Sequence, residues 1–127
     1  GVPLALGTAA ANPDRPTLVV CGDGGFLMAG HELLTARAEG LAFVVLVVND
    51  SAYGLLRNYQ ETMFGRTVAV ELNAPDFEAL AGACGVRYLR ATGIDALDRV
   101  LRVAVADRSG PVLVELAAAL RAPGQSV

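Results

Sequence analysis

Two carboxylates, each at the end of an apolar run, are the groups in this sequence best placed to do chemistry. The first, Asp23, lies inside V-C-G-D-G-G-F, residues 20–26. A glycine-rich loop after an apolar strand commonly cradles a phosphate with backbone N–H groups, because glycine turns tightly and lets a ligand approach. A carboxylate in the middle of such a loop repels a phosphate unless a cation stands between them. The loop therefore takes no phosphate, or takes one through a metal. The second carboxylate, Asp50, follows the next apolar run and Asn49, 27 positions beyond Asp23.

The elements that must position this pair can be read from hydrophobic patterning. GVPLALGTAAA, up to Ala11, reads as the end of a tightly packed helix broken at Asn12-Pro13, and NPDRP as a turn. TLVVC, Thr17 to Cys21, reads as a short buried strand. LMAGHELLTARA, Leu27 to Ala38, has helical spacing at Leu27, Leu34 and Ala38 and stops at Gly40. Phe43 to Val48 lies in the longest apolar run, Leu41 to Val48, a length that suits a strand buried on both faces. Tyr53-Gly54 opens a helix over LLRNYQETMF, and Gly65 to Pro75 reads as irregular. Asp76 is the expected N-cap of a helix through Ala83. A third strand over Val86 to Arg90, a helix over Ile94 to Ala106 with Leu97, Val100, Leu101 and Val105 in one stripe, and a fourth strand over Pro111 to Leu116 follow. Arg121 to Val127 reads as a frayed tail or outgoing linker. Strands alternating with helices predict an α/β fold with an open, mostly parallel sheet, as a single domain.

Ligands of such sheets bind beyond the carboxyl ends of the strands. One βαβ unit separates Asp23 from Asp50, so both carboxylates are delivered to the same edge. Hard oxygen ligands beside a glycine loop suit Mg2+, which prefers octahedral oxygen coordination and commonly shares carboxylates with substrate phosphates. A dinucleotide-binding fold is the rival: Gly22-x-Gly24 follows a strand, and Asp50 could hold a ribose. Leu27 stands where that design needs Gly or Ala, and Asp23 would face a pyrophosphate without a metal. A third reading leaves Asp23 and Asp50 merely capping helices.

Composition narrows the classes further. The chain has 127 residues, 54% of them hydrophobic, and a net charge of −3. That content, without a run long enough to span a bilayer, reads as core with room for a subunit interface, and excludes a membrane span. All ten basic residues are arginine, so neither a Walker-type lysine nor a Schiff-base amine is present. The arginines are scattered, and no basic stripe marks a nucleic-acid footprint. Cys21 and Cys84 sit in apolar contexts without CxxC spacing, as small hydrophobes of a reducing, cytoplasmic compartment do.

Taken together, Gly22-Asp23-Gly24, the intervening 24 residues, and Asn49-Asp50-Ser51-Ala52-Tyr53-Gly54 resemble the two-part thiamine diphosphate motif. The likeness is to the C-terminal cofactor-binding domain of the acetolactate synthase, pyruvate decarboxylase and benzoylformate decarboxylase family, and it covers nearly the whole chain. It implies a three-layer α/β/α thiamine diphosphate-binding fold, with thiamine diphosphate and Mg2+ as cofactors. By the same resemblance Asp23, Asp50 and the Ala52 carbonyl are the protein's metal ligands. Backbone N–H groups of Gly24, Gly25 and the Tyr53 to Leu55 segment, which includes Gly54, hold the diphosphate after Gly22. Asn49 braces the loop, and Leu55 and Leu56 line the substrate pocket.

Three positions depart from the usual pattern. Asp50 replaces an asparagine and remains a good Mg2+ ligand. His31 replaces a commoner glutamine and reads as a polar helix residue. Leu56 stands where pyruvate decarboxylases carry a glutamate, which leaves acetolactate synthase-like or aryl-keto-acid chemistry open.

The resemblance also implies a lyase or transferase that acts on a 2-keto acid substrate, by decarboxylation or carboligation, in a homodimer or homotetramer. The activating glutamate is expected on the pyrimidine-binding domain of a neighbouring subunit, and the first segment of this domain is expected upstream of Gly1. This stretch alone is then expected to be inactive and to hold no catalytic residue. Whether an FAD-bearing domain accompanies it is not legible. A cofactor-binding subunit of a split decarboxylase and a non-catalytic domain that keeps the fold are the alternatives.

Overall fold

The computed structural model describes residues 1–118, so the tail reading at Arg121 to Val127 lies outside the described residues. The elements run α1 (Val2–Ala11), β1 (Leu18–Gly22), α2 (Asp23–Leu27), α3 (Glu32–Ala38), β2 (Val44–Asn49), α4 (Gly54–Phe64), α5 (Phe77–Ala83), β3 (Arg87–Ala91), α6 (Ile94–Ala106) and β4 (Val112–Ala117). The four strands form one parallel sheet in the order β1-β2-β4-β3, with helices on both faces, the expected α/β architecture. Each strand lies one residue later than its apolar run predicts, because the pairing register and not hydrophobicity decides where a ladder ends.

Alternation along the strands sorts the core into two layers. Val45, Val47 and Leu113 face α1, α2, α3 and α5 through Phe26, Leu33, Ala36, Phe77 and Ala81. Val44, Leu46, Val112, Val114 and Leu116 face α6, whose Leu97, Val100, Leu101 and Val105 form the predicted stripe around buried Ala104. β2 is buried on both faces, as its apolar run requires. β1 is not the buried strand that TLVVC predicts. It pairs with β2 alone and α6 covers the other end of the sheet, which leaves Leu18 and Val20 exposed.

The segment predicted as one helix from Leu27 to Ala38 is two. α2 begins at Asp23, and a turn over Met28 to His31 separates it from α3. The Gly30 backbone lies against the Phe26 ring, where an added Cβ would stand 2.6 Å from the ring edge, and bonds from Ala29 N–H to the Phe26 carbonyl and from Glu32 N–H to the Ala29 carbonyl tighten the chain there from the α-helical pattern. The buried positions are accordingly Phe26, Leu33 and Ala36, while Leu27, Leu34 and Ala38 are exposed. Asp76 caps α5 as predicted, accepting from Ala79 N–H at 3.0 Å.

After α6, Asp107 accepts from the Ser109 hydroxyl at 2.6 Å, the Ser109 N–H at 2.9 Å and Arg87 Nη1 at 2.6 Å. The Ser109 hydroxyl, then Arg87, holds its carboxyl down to about 2, below the usual 3.8. A depressed folded value means that the ionised form stabilises the fold above the unfolded value and stops doing so as pH falls through the folded one. Urea midpoints should therefore separate wild type from Asp107→Asn in the neutral range and converge as pH falls from about 4 to about 2. A gap that persisted at the acid end would contradict this.

Candidate functional site: a cavity at the carboxyl ends of β1 and β2

A cavity of about 640 Å3 opens where β1 and β2 end. Its floor is the Gly22 to Gly25 segment, where β1 passes directly into the first turn of α2, its far side Asp50, Ala52 and Tyr53, and its wall the first turns of α4, Gly54 to Asn58 and Glu61. The sequence therefore brought together the residues it marked: Gly22, Asp23, Gly24, Gly25, Asp50, Ala52, Tyr53, Gly54, Leu55 and Leu56 all line one space. Asn49 does not line it and stands just behind.

Asp23 is 1% exposed. Its Oδ1 accepts from the Gly24 N–H at 2.8 Å, and its Oδ2 is buried with no protein partner. A buried carboxylate oxygen left without a donor is costly, and an unmatched Oδ2 on a cavity floor is one that a cation fits. Two glycines of the cavity are closely approached by side chains. A Cβ on Gly24 would come within 2.5 Å of the Tyr53 ring, and one on Gly54 would collide with Asp50 Oδ2. Asp50 thus rests over the first turn of α4, and a side chain at position 54 would force its carboxylate to move.

The loop that carries Asp50 is held from two sides. Ser51 adopts a left-handed φ of 54°, uncommon for a residue with a side chain. Its N–H donates to Asn49 Oδ1 at 3.1 Å, and its carbonyl accepts from Leu72 N–H at 2.9 Å. Tyr53 N–H donates to the Val70 carbonyl at 2.8 Å, and Ala52 bridges Glu71, so residues 70–72 lie across the loop as a short strap. This takes the Tyr53 N–H out of the set of donors expected to face a diphosphate. Gly25, Gly54 and Leu55 line the cavity in the first turns of α2 and α4, where N–H groups have no intrahelical partner, and the Gly24 N–H donates to Asp23.

Several side chains escaped the sequence reading. Arg57 lines the cavity, gives Nη2 to Glu71 at 2.7 Å and leaves Nε buried without a partner. Asn49 donates Nδ2 to Glu115 Oε1 at 2.8 Å, and Tyr88 donates its hydroxyl to Glu115 Oε2. Burial and then the Glu115 carboxylate push the Tyr88 hydroxyl well above its ordinary value, so it remains a donor. The signal for Glu115 was present in PVLVEL, where one acid interrupts an apolar strand. The Cys21 thiol, which also lines the cavity, is pushed up by burial. His31 lies at an exposed turn, 3.7 Å from Glu32, away from the cavity lining.

α4 buries none of its side chains fully. Leu55, Leu56, Tyr59, Met63 and Phe64 are exposed along it. Among the described residues no helix is long and apolar enough to cross a membrane, and no group of three His, Cys, Asp or Glu side chains could hold a metal by itself.

Residues 1–116 match a family model described as the C-terminal TPP-binding domain of thiamine pyrophosphate enzymes. The chain is 31% identical over 118 residues to the acetolactate synthase large subunit of Lactococcus lactis, which covers 91% of the chain and 20% of that protein. It is 38% identical over 117 residues to a Pseudomonas aeruginosa protein named "Probable 2-ketoarginine decarboxylase AruI", covering 91% and 21%. Acetolactate synthase of Bacillus subtilis is 34% identical over 115 residues, with 91% and 20% covered. The chain thus spans about a fifth of the length of these relatives.

Proposed function

Since this chain belongs to the family of C-terminal thiamine pyrophosphate-binding domains of thiamine pyrophosphate enzymes, we propose that its cavity binds thiamine diphosphate through Mg2+. The unpartnered, buried Oδ2 of Asp23 on the cavity floor is the observation that carries this reading. Asp23 and Asp50 line the same space, and the Ala52 carbonyl lies two residues beyond Asp50. Two carboxylates and a carbonyl fall short of the six oxygens Mg2+ prefers, so the metal would be held jointly with the diphosphate and water. This answers the repulsion that a carboxylate in a phosphate loop would otherwise create.

The N–H groups of Gly25, Gly54 and Leu55 are the backbone donors available to the diphosphate, with Gly24 able to turn from Asp23 once a cation takes up that carboxylate's charge. Cofactor of this kind supplies a carbon nucleophile and an electron sink for reactions of 2-keto acids. The chain's own part is to anchor the charged end and to shape one wall above it. Leu55 and Leu56 make that wall apolar, and a partner domain that covered it would exclude water and strengthen whatever charge interactions the substrate makes elsewhere in the site.

In the whole protein this domain would serve a 2-keto acid decarboxylase or carboligase, as the names of the relatives indicate for those proteins. A partner domain from the neighbouring subunit of a homo-oligomer would complete the site. The exposed apolar side chains of α4, beside the cavity, favour the same arrangement.

Calorimetric titration of the whole protein tests the reading. Thiamine diphosphate should bind with Mg2+ present, lose that binding in EDTA, and regain it when Mg2+ is restored. Binding indifferent to chelation would rule out the metal bridge.

A further inference from the structure

Glu115 sits where a carboxylate needs a reason. It lies on β4 between buried Val114 and Leu116 and is itself only 6% exposed. A charge taken out of water is tolerated when hydrogen-bond donors replace the solvent. Both oxygens have one: Oε1 accepts from Asn49 Nδ2 at 2.8 Å, and Oε2 from the Tyr88 hydroxyl. The parallel register makes this possible. Glu115 stands opposite Val47 on β2 and Arg90 on β3, and Asn49 and Tyr88, each two residues away on those strands, share its face.

The amide of Asn49 is planar, so fixing its nitrogen fixes its oxygen. Nδ2 is spent on Glu115, and Oδ1 faces Ser51, accepting from its N–H at 3.1 Å and its hydroxyl at 3.4 Å. Ser51 is the residue held at a φ of 54°, between Asp50 and Ala52. A left-handed backbone at a residue with a Cβ persists only where the surroundings over-determine it.

We infer that Glu115 is a positioning residue for the Asp50 to Ala52 loop, and this rests on the reading of that loop as the Mg2+ and diphosphate site. Tyr88 steadies Glu115 from β3, Glu115 orients the Asn49 amide, and Asn49 pins Ser51 in the one conformation that keeps Asp50 and the Ala52 carbonyl at the cavity. With the carboxylate gone, the Asn49 amide can turn over and present its nitrogen to the Ser51 N–H, donor against donor. The strap at residues 70–72 then holds the loop from one side only.

Two variants separate positioning from bulk. Glu115→Leu keeps an apolar side chain of similar length and removes the acceptor. Glu115→Gln can still accept from Asn49 while its own amide N–H groups turn to the Tyr88 oxygen. Hydrogen exchange in the cofactor-free whole protein, with thiamine diphosphate titration in Mg2+ alongside, reads both. Glu115→Leu should speed exchange at Ser51 to Tyr53 by about tenfold or more, with Val44 to Val47 at the wild-type rate. Its Mg2+-dependent affinity should fall by about tenfold or more, and Glu115→Gln should return both quantities to within about threefold of wild type.

A residue that merely fills the core would speed β2 and β4 together and would not be rescued by glutamine. Unchanged exchange at Ser51 to Tyr53 in folded Glu115→Leu, or equal damage from Glu115→Gln, overturns the inference. If Glu115→Leu fails to fold, Asn49→Ala cuts the same link at the loop end, and unchanged exchange there overturns it equally. A wild-type protein that bound no thiamine diphosphate would overturn the reading of the site, while the exchange rates would still decide the clamp.

Discussion

Asp23→Ala is expected to abolish Mg2+-dependent binding of thiamine diphosphate, weakening it by about 100-fold or more, while leaving the cofactor-free protein no less stable than wild type within about 1 kcal/mol. The two halves of this prediction come from the same atom. Asp23 Oδ2 is buried and has no protein partner, so in the cofactor-free fold the carboxylate carries a desolvation cost that the Gly24 N–H at Oδ1 offsets only in part. Truncation removes that cost together with the single contact from the Gly24 N–H, and the two effects oppose one another. On the proposed reading cofactor binding would reverse the balance, because a cation at Oδ2 would turn an unfavourable burial into a ligand bond. The stabilisation gained from bound cofactor, about 2.7 kcal/mol at a concentration 100 times the Kd, should vanish in the variant. Thermal melts with and without Mg2+ and thiamine diphosphate measure both halves. A variant that still gained stability from the pair would show that Asp23 is not the metal's anchor; one that melted far below cofactor-free wild type would show that the carboxylate holds up the fold.

What the sequence made legible follows from which signals are local. The spacing of Asp23 and Asp50 across one strand-helix-strand unit places both at the same sheet edge in any right-handed parallel fold, and the cavity lined by both bears that placement out. β2 was readable because burial on both faces leaves a continuous apolar run. β1 was misread for the reason that makes edges hard: Leu18 and Val20 look like core, and only the strand order leaves them uncovered. The break at Met28 to His31 was hidden because Leu27 and Leu34 mimic a helical stripe, whereas the buried set is Phe26, Leu33 and Ala36. Within the site, the residues that touch the cavity were marked by glycine and charge. Those that hold the loop, Asn49 apart, were not. Val70 and Leu72 bond it through backbone atoms, and although the acid in PVLVEL marks Glu115 as unusual, no local pattern announces that it meets Asn49 on one side and Tyr88 on the other, from strands far apart in sequence.

Phe26→Ala should be the most damaging single truncation near the site for the fold itself, costing about 3 to 5 kcal/mol of unfolding free energy. The ring is fully buried and packs edge-on against Phe77 with centroids 5.6 Å apart at 72°, the geometry that adds a quadrupolar gain to area burial. It also meets the Gly30 backbone, where an added Cβ would stand 2.6 Å from the ring. Neither neighbour can fill the space left behind: Phe77 is anchored on α5 by the Asp76 cap, and Gly30 has no side chain to offer. Because α2 is five residues long, it has too few internal hydrogen bonds to stand without that packing, and Phe26 lies three residues after Asp23 on it. The loss should therefore reach the site through the helix and not through a ligand. Urea unfolding of the cofactor-free protein should show the full cost, and saturating Mg2+ with thiamine diphosphate should recover part of it, since bound cofactor selects the arrangement in which Asp23 is in place. Asp23→Ala has the opposite profile, intact fold and no recovery, so the pair distinguishes the group that binds from the ring that holds it there. A Phe26→Ala protein as stable as wild type would mean that α2 is fixed by its backbone alone.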